Sequence, residues 1–522
     1  MASNEPGNLR SGFATVTAGT LFLLVSTLLL VGFNSLARVL IVRTVSATAW
    51  DAFSLGFTLT QVILAVGTLG IPVAVARSLP SASRDAERRT IVRSALGIVS
   101  AAAAIAGVAL FLSGPSLGRA LGSPLLSDGL GFFALALSSL IVGTLLASVF
   151  QGYSNVTPNA LFLQVVNPGL FLGLLALALV LPPHRVTYTD ALVAYAAAAA
   201  ATLASLVVYT VRRLPRNVLR GPGEPAARRE LVRLAAPLCV YGAMVSIAGS
   251  GDTLVLGVFR FAEVGAYSAS LTLARLVQVG VSAASYIFLP VAAGFLARGN
   301  RRAVGLIYVT VTKWLTVLSL PLFVVFVFLP SATLDFVYGP SYAGVVLPLQ
   351  IVVTSAFLGT LLGPAAMAQV VAGQARLLAV NAVVAAAADV LLALLLVPRY
   401  GEVGAALGWG VANVLYASLC LGELALAEHY HPFRRDFLVP LVATGLPVSL
   451  VLFLLHPRVA LLALPVLVIA LAVLFAVVVV ATGSIDEGDR LLLGAVERLL
   501  GRRVPFVRRW AGVLRRNRDG QP

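Results

Sequence analysis

Charge is what this chain has least of. Asp, Glu, Lys and Arg make up 11% of its 522 residues, against about a quarter in an average soluble domain. So little charge cannot keep a surface of this size in water, which excludes a soluble catalytic domain. Cysteine is nearly missing. Cys239 and Cys420 fall far apart within apolar stretches, leaving no disulfide framework. The histidines, His184, His429, His431 and His456, lie in connections without metal-ligand spacing, so no metal site and no cofactor is expected. Long hydrophilic loops are lacking too. The longest connection, Arg212 to Arg233, runs about twenty residues, too few for the extramembrane domain of a membrane glycosyltransferase or polymerase.

What is there is apolar length. Of the chain, 59% is hydrophobic, and about 20 residues of helix cross a bilayer core. Fourteen stretches reach that length: Phe13 to Val42, Phe53 to Ala76, Ile91 to Leu112, Leu130 to Phe150, Ala160 to Leu181, Ala191 to Val211, Leu234 to Val258, Ala266 to Phe295, Val304 to Leu329, Val345 to Val371, Leu377 to Val397, Val403 to Ala427, Phe437 to Leu455 and Val459 to Ala481. Lipid offers no partner to bare backbone groups, so such runs must be helices. Alternating strand patterns are absent. The expected fold is all-α and polytopic. The first run is too long for a signal peptide and lacks a small-x-small cleavage site, so it stays as a helix.

Charge placement sets the orientation. With the N-terminus inside, the arginine clusters around Arg77 to Arg93, Arg212 to Arg233 and Arg298 to Arg302 all fall on the cytoplasmic side, as does the C-terminal tail. The outside connections hold one each: Arg43, Arg119, Arg185, Arg260, Arg399 and Arg458. Both termini are therefore expected in the cytoplasm. The net charge of +16 is this bias, and no nucleic-acid partner follows from it. Residues 483–522 are expected to be a basic amphipathic cytoplasmic tail. Its Leu491, Leu492, Phe506 and Trp510 are expected at the membrane interface among arginines at anionic lipid, the alternative being a solvated tail.

The chain also repeats itself. Ala52-Phe53-Ser54-Leu55-Gly56-Phe57-Thr58-Leu59 returns 214 residues later as Ala266-Tyr267-Ser268-Ala269-Ser270-Leu271-Thr272-Leu273, and Asn167 matches Asn381 at the same offset. Six spans separate the copies, so the halves share one orientation. Two pseudo-symmetric lobes, residues 1–211 and 234–427, are expected, joined by a cytoplasmic linker, 212–233, and followed by two further helices within 428–482. Parallel repeats of this kind enclose a substrate cavity.

Several segments resemble a known family. Gly251-Asp252-Thr253-Leu254-Val255-Leu256-Gly257-Val258-Phe259 with Val264-Gly265-Ala266-Tyr267-Ser268 is similar to the seventh-to-eighth-helix signature of Wzx-type polysaccharide flippases. These belong to the multidrug/oligosaccharidyl-lipid/polysaccharide exporter superfamily. Leu36-Ala37-Arg38-Val39-Leu40, Phe336-Val337-Tyr338-Gly339-Pro340-Ser341-Tyr342 and Pro398-Arg399-Tyr400-Gly401-Glu402-Val403-Gly404-Ala405-Ala406 resemble further family segments. The resemblance implies alternating access and a lipid-linked sugar as cargo. It also implies that the last two helices guide the lipid tail.

Polar residues inside the spans are the site candidates, because a mid-membrane charge costs roughly 2.5–3.5 kcal/mol or more without a cavity or partner. Arg38 and Arg275, at matching places in two lobes, are expected to bind the diphosphate of a polyprenyl or dolichyl carrier, since a guanidinium contacts two oxygens at once. The alternative is pairing with a nearby acid. Arg77 matches a position often basic in the family, or is an inside anchor. Asn34, Gln61, Gln278 and Asn381 are candidate sugar or phosphate contacts, or bridges between helices. Asp389 and Asp252 are candidates for H⁺ or Na⁺ coupling. Lys313, the only lysine, is expected to snorkel inward past Trp314, and Glu423 to reach the interface. Gly70-Ile71-Pro72, Asn167-Pro168-Gly169 and Gly363-Pro364 interrupt their helices.

The expected activity is non-enzymatic: a flippase moving a lipid-linked oligosaccharide or polysaccharide repeat unit across a prokaryotic plasma or inner membrane. Membrane lipids and glycan-assembly proteins are its expected partners. A cation-coupled multidrug exporter of the same superfamily is the first alternative, and a membrane-embedded glycan ligase or polymerase the second.

Overall fold

The computed structural model describes residues 6–82, 84–181, 186–214, 225–433, 435–455, 464–481, 488–489 and 491. Among these, every element is helical. The first half runs α1 (Pro6–Thr44), α2 (Ala47–Gly67), α3 (Ile71–Ser78), α4 (Asp85–Ala120), α5 (Pro124–Gly152), α6 (Asn167–Val180) and α7 (Tyr188–Arg213). Next come α8 (Pro225–Ala248), α9 (Gly251–Phe259), α10 (Val264–Leu296), α11 (Arg301–Phe328), α12 (Pro330–Tyr338), α13 (Val346–Leu361), α14 (Ala365–Val371) and α15 (Ala375–Glu428). The chain closes on α16 (Arg435–Leu455) and α17 (Leu464–Ala481). Ten candidate spans among the described residues are long and apolar enough to cross a membrane. The basic tail expected over 483–522 lies, but for residues 488–489 and 491, outside the described residues.

Glycine and proline break the spans where the sequence places them. Gly70 takes a left-handed φ of 68° and Pro72 opens α3. Gly363, at φ 73°, precedes Pro364 in the same way between α13 and α14. Pro168 has no N–H to return to Gln164, and the turn ahead of it, Asn159–Val166, relaxes into π geometry. One feature departs from the expected spans: the seventh stretch is broken at Gly249-Ser250 into α8 and α9. The eleventh and twelfth are the two arms of α15, which fold back on each other at Gly401 (φ 56°, ψ −132°), inside the expected connection.

Packing follows one plan in each half. In the first, α4 lies on α5, α5 on α2 and α7, and α1 on α6. In the second, α11 lies on α13, α13 on α10 and α15, and α8 and α9 on α15. The halves meet through α1 and α2 against α10, and through α2, α3 and α4 against α8. Lipid is as apolar as leucine, so close packing rather than water expulsion holds such helices together. An aromatic cluster shows the means: Phe53, Phe133, Phe171 and Tyr195 join α2, α5, α6 and α7, with ring centroids 5.5 Å apart for Phe53–Phe133 and Phe171–Tyr195. Each such pair adds about 0.5–1.5 kcal/mol.

Candidate functional site

Arg38 of α1 and Arg275 of α10 come from opposite halves and line one small cavity of about 30 Å³. Gln61, Thr253 and Ser268 share its wall, and among the described residues no carboxylate does. Arg38, half-buried, donates from Nη1 to Thr272 Oγ1 at 3.2 Å and lies 4.7 Å over the Phe57 ring. Arg275 is exposed by residue surface and lines the same wall. Two guanidinium groups on one wall repel each other, and membrane depth strengthens the repulsion. Such a wall suits a multivalent anion.

The arginines are not repeat equivalents, contrary to the expected matching places. The 214-residue offset pairs Arg38 with Asp252 and Gln61 with Arg275. What the fold brings together is two unlike pairs, set around the seam.

Asp252 and Asp389 also meet, beside the cavity rather than in it. The Asp252 backbone N–H donates to Asp389 Oδ2 at 3.2 Å, and the Tyr267 hydroxyl donates to Asp252 Oδ2. Both residues are fully buried, and Asp389 Oδ1 finds no partner in the described structure. Two buried acids joined through this backbone contact are candidates to take up a proton, since burial disfavours charge on both.

The other candidates disperse. Asn34 donates to Leu30 O of its own helix at 2.8 Å. Gln278 donates to Asn413 at 3.2 Å inside the second half, at a separate cavity of about 180 Å³. Asn381 and Gln369 both donate to Glu423 Oε2, at 2.7 and 2.6 Å. Glu423 therefore ties α14 to both arms of α15 instead of merely reaching the interface. Arg77 is exposed at the end of α3, outside the cavity lining. Amides bridging helices look, in sequence, the same as amides lining a cavity; only the fold separates them. Lys313 does not simply snorkel. Its Nζ lies 2.6 Å from Asp489 Oδ2, and both side chains are buried.

One contact between the halves was missed in the sequence. Gly265 N–H donates to Asp51 Oδ1 at 2.7 Å, and Trp50 Nε1 donates to Gly265 O at 2.7 Å. Asp51 and Gly265 are 214 residues apart, the repeat offset. Equivalent positions touch only where the axis relating the halves passes between them. The repeat thus carried the signal. Around this clamp, Arg43 reaches the α12 carbonyls of Val337 and Phe336, and Glu263 accepts from Glu402 N–H at 2.7 Å. The halves are joined at this end of the bundle. Asp51→Ala should orphan the Gly265 N–H and cost the joined state about 1.5–3 kcal/mol, roughly ten- to a hundredfold in the balance of states. Spin-label distances between the α1–α2 and α9–α10 turns would register the opening. An unchanged distance distribution would deny the clamp any gating role.

Sequence and structure comparisons bear on the family and the fold. The sequence profile of the family described as "Polysaccharide biosynthesis protein" matches residues 16–294, just over half of the chain. No curated protein matches the chain in sequence. Among solved structures, the lipid II flippase MurJ in an inward closed conformation superposes with a TM-score of 0.70 at 12% identity, over 87% of this chain and 98% of its own. An inward-facing multidrug resistance MATE transporter of the MOP superfamily gives 0.61 at 14% identity, over 78% and 98%. The Vibrio cholerae MATE transporter VcmN gives 0.54 at 16% identity, over 80% and 98%. At such identities these likenesses speak to the fold alone. The chain belongs to the polysaccharide biosynthesis protein family and carries the polytopic helical fold shared by MurJ and the MATE transporters.

Proposed function

We propose that this protein flips a lipid-linked oligosaccharide or polysaccharide repeat unit from the cytoplasmic to the outer leaflet of a prokaryotic cell membrane. The observation that carries this reading is the convergence of Arg38 and Arg275, from opposite halves, on one wall free of carboxylates. A diphosphate joining sugar to polyprenyl or dolichyl carrier is a multivalent anion, and two planar forks match its oxygens. The parallel packing of the halves supports two lobes, 1–211 and 234–427, rocking about the seam, with both termini in the cytoplasm. The joined end, where connections carry one arginine each, is then the outer end. Asp252 and Asp389 serve as the coupling pair, charging and discharging as the lobes move.

The superfamily also contains drug exporters, whose cationic cargo calls for acids on the cavity wall. Here the acids stand behind Tyr267 and the arginines face the cavity. A ligase or polymerase would need a positioned carboxylate or histidine on the outer side and would form product alone, whereas a flippase transports without forming any.

The test is export in cells. Without the protein, lipid-linked glycan should accumulate in the cytoplasmic leaflet. Arg275→Ala should lower export at least tenfold, equivalent to about 1.4 kcal/mol, with the protein still present in the membrane. Arg275→Lys should fall between, having charge without the fork. Export at the normal rate in Arg275→Ala would remove the arginine wall from the mechanism. Efflux of a cationic dye would turn the assignment toward the drug exporters.

A further inference from the structure

A second cavity is far larger than the arginine-walled one. About 890 Å³ opens between α4 and the start of α8, at the arginine-rich end of the bundle. Its floor is one face of α4, through Gly97, Ala101 and Ile105, with Arg93 at the near end of that face. Arg228, in the first turn of α8, faces Arg93 across the mouth, and both arginines are exposed. From Arg93 to Ile105 the helix rises about 18 Å, roughly the depth of one leaflet. The groove is therefore charged where headgroups lie and apolar where chains lie. Arg93 and Arg228 are the charged residues of its lining.

We propose that this groove binds one anionic phospholipid of the cytoplasmic leaflet, its phosphate between Arg93 and Arg228 and an acyl chain along α4. Basic pockets between helices at that level hold anionic headgroups, and a phosphate diester brings its acyl chains to the apolar face below. The groove lies on the seam, because α4 belongs to the first half and α8 to the second. A lipid there ties the two halves at the end opposite the Trp50–Asp51–Gly265 clamp, favouring the state in which α4 and α8 stand at this separation. The proposal needs the cytoplasmic placement of this end, and is independent of the cargo.

Native mass spectrometry of the purified full chain tests it, with phosphatidylglycerol, phosphatidylcholine and inorganic phosphate as probes. Phosphatidylglycerol should be retained at least fivefold better than phosphatidylcholine. Arg93→Gln with Arg228→Gln should erase that preference, whereas Arg212→Gln, outside the groove, should leave it intact. Ala101→Trp fills the apolar floor without touching the arginines, and should also release the lipid; it serves as the probe if the arginine variant fails to fold. Equal retention of the two phospholipids would overturn the proposal, as would a preference that survives both variants. Phosphate binding as tight as phosphatidylglycerol would reduce the site to an anion patch. Displacement of phosphatidylglycerol by polyprenyl diphosphate at equal concentration would reassign the groove to the transported lipid. Because loss of lipid retention and loss of glycan export are read separately, failure here leaves the flippase reading standing.

Discussion

Gly70→Val should break the contact between the halves and lower stability by roughly 3–5 kcal/mol, the combined cost of a left-handed backbone and an overpacked core. Gly70 sits at φ 68°, directly after Leu69 at φ 53°. A Cβ added there would lie 2.5 Å from the Cys239 backbone nitrogen and 2.9 Å from the Leu238 carbonyl carbon, and would also strike the Ala235 carbonyl oxygen. These are backbone atoms of one turn of α8, so no rotamer change can make room. A β-branched side chain is the poorest choice for left-handed geometry. Gly242→Ala, on the same helix but with nothing within 4 Å of its Cβ position, should be neutral or slightly stabilising. Thermal unfolding of the two variants in detergent compares them directly. Equal midpoints would mean that α3 and α8 are free to separate, and that the seam is no packed interface.

That seam also marks how far the sequence could be read. Apolar length announced the helices, and the proline-linked breaks at Gly70, Pro168 and Gly363 were visible because proline removes a donor whatever surrounds it. The break at Gly249-Ser250 was not. No proline stands there, and the run Leu234 to Val258 stays apolar on both sides. Gly401 was read correctly: its neighbourhood, Pro398 to Glu402, reads as a connection, and the chain reverses there between the two arms of α15.

At the site, Arg38, Gln61 and Arg275 were legible since charge and amide groups at membrane depth need a cavity or a partner. Gln278 and Asn381 met the same criterion and turned out to bind Asn413 and Glu423. Polarity told that a partner existed, not which. Pairing at long range was out of reach for the same reason. Nothing near Lys313 in sequence announces an acid 176 residues away.

Lys313→Met should cost about 3–5 kcal/mol, the usual effect of removing one member of a buried ion pair. The ammonium lies 2.6 Å from Asp489 Oδ2, and Trp314 Nε1 donates to Oδ1 of the same carboxylate at 2.6 Å. Both charged side chains are nearly inaccessible, at 2% and 3%, so salt cannot screen what is lost. The penalty falls on the segment after α17, which this pair fastens to α11. Protease nicking among the tail arginines should accelerate accordingly. A methionine matches the lysine stem in volume, hence lost packing contributes little and the loss of the ammonium beside Asp489 accounts for most of the effect. Lys313→Met combined with Asp489→Leu should then recover most of the stability, because no buried charge is left without its counterpart. Since Lys313 is the only lysine, an amine reagent reports on the pair directly: apart from the N-terminus, the chain should resist labelling until Asp489→Leu frees the ammonium. Rapid labelling of the unaltered protein, or a double variant no more stable than Lys313→Met, would show that the pair does not hold the tail.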